Sequence, residues 1–259
     1  MPTVYEIERS LYDWAPRELA ESWDNVGLLV GSGAREAKRV LVALDVTEWV
    51  ADEAIARGAD LIVAHHPVMN CRWHEVQSIV DDNAQGRTLT KLLRNDVSAI
   101  CMHTNLDAAD GGVNDILARK LGLQELSMLN EEKIGRVGTL NCEKSLEEFL
   151  SDVVQSLGCR GLRYRDGGKP VHRVAVGGGA CVEFVPNALA LGCDTFVTAD
   201  VKYHDFLDAD GINLIDAGHC ETENPVCDAV CAYLAERFPQ LELLRSTSHA
   251  ESVIKYFMK

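Results

Sequence analysis

The stretch Arg39-Val40-Leu41-Val42-Ala43-Leu44-Asp45, with Leu61-Ile62-Val63-Ala64-His65-His66-Pro67 behind it, decides how this chain folds. Residues 39–45 are too apolar for a strand with one wet face, so they read as a strand covered on both sides. Thr47 caps a helix that runs through Arg57, Gly58 stops it, and residues 61–64 form another short buried strand. Strand, helix and strand in that order predict an α/β fold.

Outward from this segment the same rhythm holds. Residues 5–15 read as an amphipathic helix, Pro16 opens a short helical stretch to about Glu21, and 26–31 is a strand ended by glycine. Beyond the segment come a helix from about Gly86 to Asn95, a strand over 97–102, and a helix from near Val113 that ends before Gly122. A second unit follows: a helix over 145–157 with Ser145 as N-cap, a strand over 173–176, and a tight turn at Gly177-Gly178-Gly179. It continues with a helix over 182–191 closed by Gly192, strands over 195–198 and 212–215, and a helix over 225–238. The tail adds apolar segments at 241–244 and 252–257. The polar stretch 130–136 separates the units, giving a first α/β domain of 1–130 plus about 224–259 and a second of 131–223. No segment is of low complexity, and no solenoid period occurs.

With 259 residues and 47% hydrophobic content the chain can bury a large core without covalent staples. Its formal charge of -15 sets a repulsive field against phosphate backbones and anionic lipid. The densest basic stretch, 160–173, is short and mixed with Gly and Asp166, so nucleic acid and membrane are disfavoured as partners. The first nine residues carry acids where a secretory signal needs a basic start, and no run of about 18 apolar residues follows, so a cytoplasmic protein is expected. Nine cysteines at irregular spacing fit reduced thiols. Cys227 and Cys231, four apart on a helix, read as apolar packing before they read as metal ligands.

The chemistry-bearing residues gather at strand ends, where open α/β sheets place their ligands. His65 and His66 follow the strand over 61–64, and Pro67 stops the ladder. Successive strand residues point to opposite faces, so two adjacent imidazoles meet at one centre only through a bend, or serve two centres without one. Alone, the pair reads as polar edge residues more readily than as ligands. Met102-His103-Thr104-Asn105-Leu106-Asp107-Ala108-Ala109-Asp110 follows another buried strand. There Asp107 has two oxygens with which to bridge cations, His103 reads as a proton carrier or as support to a ligand, and Asp110 reads as a helix cap.

At the third strand end, Asp216-Ala217-Gly218-His219-Cys220-Glu221-Thr222-Glu223-Asn224-Pro225, a proline inside a helix would clash four residues back. Pro225 is therefore expected at the first helical position with Asn224 as cap, leaving His219 and Glu223 on a loop. Three strand ends that each offer imidazole or carboxylate point together to a pair of divalent metal ions bound by His65, His66, Asp107, His219 and Glu223. Nitrogen and oxygen donors without thiolate suit Zn, Fe, Mn, Co or Ni. Lys202 and His204, after the strand over 195–198, read as contacts to an anionic substrate or as capping residues. The triple glycine resembles a phosphate turn but lacks a following Lys-Ser/Thr.

Ser22-Trp23-Asp24-Asn25-Val26-Gly27, His65-His66-Pro67, His103-Thr104-Asn105-Leu106-Asp107-Ala108, Asp200-Val201-Lys202-Tyr203-His204-Asp205 and Asp216-Ala217-Gly218-His219 with Glu223 resemble, in order, the motifs of the NIF3-like dinuclear-metal family, many of whose members are labelled GTP cyclohydrolase 1 type 2 homologue. The resemblance implies two interlinked α/β domains with the metal site at their interface, assembled as a toroidal homohexamer. It implies His65, His66, Asp107, His219 and Glu223 as metal ligands, without saying which histidine serves which ion. It further implies a metal-dependent hydrolase acting on GTP or another nucleotide-like small molecule, with His103, Asp24 or His204 moving protons. The competing class is a non-catalytic metal-binding or regulatory hexamer, and a DNA-binding regulator stands third. Longer relatives carry an extra central domain for which this chain has no room. Cys220 and Met69-Asn70 depart from the family pattern, and neither removes a ligand.

Overall fold

The protein, here a computed structural model, is described over residues 1–69 and 79–248. In chain order its elements are α1 (Val4–Trp14), β1 (Gly27–Val30), β2 (Arg39–Ala43), α2 (Glu48–Ala56), β3 (Leu61–Ala64), α3 (Ala84–Arg94), β4 (Ser98–Cys101), α4 (Thr104–Ala108) and α5 (Val113–Lys120). They continue with β5 (Gln124–Met128), β6 (Arg136–Lys144), α6 (Leu146–Leu157), β7 (Arg163–Arg165), β8 (Val171–Val176), α7 (Val185–Ala190), β9 (Thr195–Thr198), α8 (Tyr203–Asp208), β10 (Asn213–Asp216), α9 (His219–Glu223), α10 (Val226–Arg237) and β11 (Glu242–Arg245). Short 3-10 turns at Arg17–Leu19 and Val182–Phe184 accompany them. The second turn splits the continuous helix expected over 182–191, because Pro186 has no N–H to extend the ladder backwards. The apolar segment at 252–257, like Asn70, lies outside the described residues.

The chain divides into two compact units, one formed by Met1–Leu106 and resuming at Val226, the other by Asp107–Pro225. The first contains a five-stranded sheet in the order β1-β4-β3-β2-β11. Strands β11, β2, β3 and β4 run parallel, and β1 closes the edge antiparallel to β4. Every residue of β3 and β4 is buried, as the apolar runs predict. Leu41, Ile62, Val50, Ala54, Leu89 and Leu92 form the core between sheet and helices. Thr47 and Asn83 cap α2 and α3 by accepting the N–H groups of Val50 and Gly86.

The second unit holds a six-stranded sheet, β5-β6-β8-β9-β10-β7. Its centre, β8-β9-β10, is parallel, while β5, β6 and β7 pair antiparallel. These last three strands have no counterpart in the sequence analysis. All of β5 is exposed or half-buried, and Glu125 with φ 53° marks its bulge, so it lacks the apolar run of a covered strand. The division between units accordingly falls after Leu106 and not at 130–136. Residues 107–129 belong with the second sheet because β5 pairs with β6 and Leu117, Leu121 and Leu123 enter its core.

Arg136, read from sequence as part of a polar linker, is among the most buried side chains of that unit at 2% exposure. Its guanidinium pairs with Asp115 and donates to the carbonyls of Ala108, Ala109, Lys133 and Gly135. Replacing it by Met leaves the Asp115 carboxylate without its buried counter-charge, so Arg136→Met is expected to cost about 3 kcal/mol or more in urea unfolding; a loss within about 0.5 kcal/mol would mean the pair contributes only what a surface ion pair does.

A second anchor lies in the first unit. Glu53 on α2 accepts from Ser246 Oγ at 2.7 Å and from the Ser248 N–H at 3.1 Å, and pairs with Arg57 at 2.7 Å. Burial alone would raise its carboxyl, but these hydrogen bonds outweigh it and hold the pKa at about 2, below the ordinary 4.5. A pKa lower in the folded state gives stability that is complete above about 4.5 and is lost as pH falls toward about 2. Glu53→Gln should therefore flatten the fall of Tm across that acid window and lower Tm at neutral pH. An unchanged slope would remove Glu53 from the acid transition.

Candidate metal centre

In the first unit Ala43, Ala64 and Cys101 stand side by side at the ends of three parallel strands. The segments beyond them, Leu44-Asp45, His65-His66 and Met102-His103, must leave from one sheet edge. The backbone bends at once, since the N–H groups of His65 and His66 both donate to the Leu44 carbonyl at 3.1 and 2.9 Å. That bend turns the adjacent imidazoles to the same side, with ring centroids 4.9 Å apart. One ring nitrogen from each of His65, His66 and His103 lies within 4.8 Å of the others, a grouping able to hold a metal ion.

Each of these rings is oriented through Nδ1. His65 Nδ1 donates to the Met102 carbonyl at 2.8 Å, His66 Nδ1 to Asp45 at 2.7 Å, and His103 Nδ1 to Asp24 at 2.9 Å. A carbonyl or ionised carboxylate only accepts, so the network assigns the proton to Nδ1 and leaves the lone pair that could bind a metal on Nε2. Histidines that bind metals are held in this way, with the second nitrogen tied to carboxylate or carbonyl. The Asp24 side chain is wholly buried. Burial would raise its pKa, but hydrogen bonds from His103 and Thr104, with the charge of His103, bring it down to about 2.

The second unit repeats the plan. Its parallel strands pair Val176 with Val197 and Thr198 with Asp216, so the glycine turn after β8, Asp200 after β9 and His219 after β10 leave one edge. His219 and Glu223 do not lie on a loop as expected. They occupy the first and last positions of the one-turn helix α9, with His219 Nε2 and Glu223 Oε2 3.0 Å apart. Pro225 permits this turn because it stands after it: Asn224 is still helical at φ -52° and bonds back to Cys220, and the ladder breaks only where the proline N lacks its hydrogen. Asn224 is thus the end of α9.

His219 Nδ1 bonds Asp200 Oδ2 at 2.7 Å, the fourth imidazole fixed in this manner. Asp200 has a left-handed backbone, φ 53°, a conformation costly for a residue with Cβ and kept where a side chain must be aimed. The Asp216 carboxylate pairs with Arg163 and accepts the Val201 and Gly218 N–H groups, which sets the two strand ends carrying Asp200 and His219. Asp107 is also on a helix, α4. Its side chain is buried, and its carbonyl accepts from Asn114 Nδ2 at 3.0 Å. Asp110 is not the cap of α5: that position is Gly112, and Asp115 inside the helix takes the Gly111 N–H. Burial, and after it the charges of Asp107, Glu183 and Glu223, push the Cys181 thiol well above its ordinary pKa, which keeps it a neutral thiol beside these acids.

The triple glycine is no phosphate cradle. The N–H groups of Gly177, Gly178 and Gly179 are taken by Val197 carbonyl, Asn114 Oδ1 and Thr222 Oγ1. Its role is spatial. Gly179 has φ +63°, and a Cβ there would stand 2.1 Å from Glu223 Oε1 and 3.1 Å from His219 Nε2. Only glycine leaves room for this pair of donors.

The predicted site residues are therefore gathered in two sets. His65, His66, His103 and Asp24 converge in the first unit, and His219 with Glu223 converge in the second, where Asp107 also lies. His204 is exposed on α8, with its ring against Tyr203, and among the described residues it joins no metal-capable grouping. Lys202 is exposed at the start of α8. The supporting residues Asp45, Asn114 and Thr222 were not singled out from sequence, and Gly179 was read only as part of a phosphate-like turn. Asp45 alone had a signal, an acid just beyond a buried strand.

A sequence profile of the family described as Duf34/NIF3 (NGG1p interacting factor 3) matches residues 2–251. A Clostridium perfringens protein named GTP cyclohydrolase 1 type 2 homolog is 35% identical over 241 residues, covering 90% of this chain and 91% of that one. Among solved structures, a Bacillus cereus protein related to NIF3 superposes with TM-score 0.91 at 26% identity over 99% of both chains. A Staphylococcus aureus hypothetical protein does so with TM-score 0.89 at 28% identity, over 99% of this chain and 100% of that one.

Loss of the tether to a ligating imidazole weakens metal sites about 10- to 100-fold. Asp45→Ala and Asp200→Ala are each expected to reduce Zn(II) affinity by that order in competition with a chromophoric chelator. Affinity within twofold of the parent would show that these carboxylates do not hold ligands.

Proposed function

The chain belongs to the Duf34/NIF3 family, and from that premise we propose that it is a hydrolase dependent on two divalent metal ions held by His65, His66, Asp107, His219 and Glu223. The observation that carries this is the common tethering of the imidazoles: the Nδ1 of His65, His66 and His219 is bonded to a carbonyl or carboxylate, so Nε2 is the ligating atom in each. The donor set fits borderline divalent ions, being imidazole and carboxylate without thiolate. The room kept by Gly179 beside Glu223 and His219 fits the same purpose.

Ions in such a site supply Lewis acidity and an activated water for hydrolysis. The protein's own part follows from the bonds at the cluster. His103 is the residue proposed to take up and return a proton, because its ring lies 5.2 Å from that of His65 and its Nδ1 is fixed by Asp24. Asp24, with its pKa at about 2, stays anionic and orients His103 without exchanging protons itself. His204, exposed on α8, is retained as a proton carrier only in the weaker sense that the family motif includes it.

The substrate proposed is GTP or another nucleotide-like small molecule, which rests on the name carried by relatives such as that of Clostridium perfringens. A toroidal homohexamer is proposed on the family resemblance, and light scattering at six chain masses would bear it out. Among the described residues no helix is long and apolar enough to cross a membrane.

Elemental analysis of the purified protein should find divalent metal, and a hydrolase screen with GTP and phosphoesters should find turnover that chelation removes. Asp107→Ala and Glu223→Ala should each abolish that turnover and lower metal content. Turnover that survives both substitutions would refute the catalytic reading, and metal that is lost without any parental turnover would favour a structural or regulatory metal site.

A further inference from the structure

Trp23 is 63% exposed, yet the turn that carries it is fixed from both sides. The Asp24 N–H donates to the Glu21 carbonyl at 2.9 Å, closing a four-residue turn with Trp23 at its third position. On one side the Glu21 N–H donates to Thr104 Oγ1 at 2.9 Å. On the other, Asn25 Nδ2 donates to the Met69 carbonyl at 2.7 Å. Between them the Asp24 carboxylate accepts from His103 at 2.9 Å and from the Thr104 N–H at 3.0 Å. The bonds that orient His103 are thus the bonds that place the indole.

The indole ring stands edge-on to His103, with centroids 6.0 Å apart and planes at 77°. His103 in turn lies 5.2 Å from the His65 ring and 5.7 Å from the His66 ring. An indole left in water forgoes the burial that normally makes tryptophan a core or interface residue. Here the anchored turn denies it the freedom to fold away. A flat aromatic face is held beside a cluster of metal-type donors, and such faces bind other planar rings by stacking, with little regard to their substituents.

On the reading that this cluster holds divalent metal, we propose that Trp23 is the platform on which a planar aromatic ring of the site's ligand stacks, while an oxyanion of the same molecule reaches the metal. The ligand class is then a small molecule that joins a flat ring to an anionic group within the span from the indole to the imidazoles. A purely aliphatic anion would use only half of the site.

Two probes that differ only in the ring, and that cannot be hydrolysed at their C–P bond, separate these cases: phenylphosphonate and methylphosphonate. They are titrated calorimetrically into the Zn(II)-loaded full-length protein, with metal content and mass measured for every variant. The parent is expected to bind phenylphosphonate about tenfold more tightly, in line with stacking free energies. Trp23→Ala should bind the two probes alike, and Trp23→Phe, which keeps a flat face, should recover most of the preference. Equal affinities in the parent, or a preference untouched in Trp23→Ala, overturn the stacking role while leaving the metal site standing. A fall in oligomer mass in Trp23→Ala with the ring preference intact overturns it in favour of an interface between copies. Failure of the parent to hold Zn(II) at all overturns the metal reading, and the stacking role with it. If Trp23→Ala fails to fold, Trp23→Leu, which keeps apolar bulk without a flat face, takes its place: loss of the ring preference supports the stacking role, and a preference kept in full overturns it.

Discussion

Parallel strands all leave a sheet at the same edge, and that single constraint governs where the chemistry of this protein lies. In the first unit β2, β3 and β4 end in register, so Asp45, His66 and His103 emerge as neighbours although long stretches of chain separate them. In the second unit β8, β9 and β10 do the same for the glycine turn, Asp200 and His219. Antiparallel β1, β5, β6 and β7 contribute no candidate ligand. Their task is to widen the sheets and, through β5 and β6, to bind residues 107–129 to the second unit.

The edge alone would scatter the side chains, since neighbouring residues of a regular strand face opposite ways. Hydrogen bonds correct this. The Leu44 carbonyl draws in the N–H groups of both His65 and His66, and the tethers at Nδ1 then fix each ring's rotation and tautomer. Three of the four tethers are carboxylates, namely Asp24, Asp45 and Asp200. They place negative charge behind the candidate ligands, where it would strengthen imidazole as a donor to a cation. The backbone strain at Asp200 and the glycine at 179 belong to the same arrangement: each is unfavourable or restrictive by itself, and each sets where His219 or Glu223 can sit.

Trp23 and Asp24 link the second set of properties to the first. One short turn buries a carboxylate under His103 and leaves an indole in water beside it. Adjacent residues thus supply a fixed polar group underneath and a flat apolar face in water. The same economy appears at α9, where one helical turn places imidazole and carboxylate four residues apart on one face.

The sequence by itself determined the α/β class, the buried strands β2, β3, β4, β9 and β10, and their strand-end clusters, because apolar runs and capping residues act locally. The same motifs marked the family, and the profile over residues 2–251 agrees. What it did not determine depended on contacts distant in sequence. Arg136 reads as a linker residue until its partners Asp115 and Ala108 are seen around it, and β5 reads as loop until β6 lies alongside. Local rules placed Pro225 at a helix start and so put His219 and Glu223 on a loop. The tertiary structure decided otherwise, because a proline forbids only the hydrogen bond it would have made and leaves the turn before it free to form.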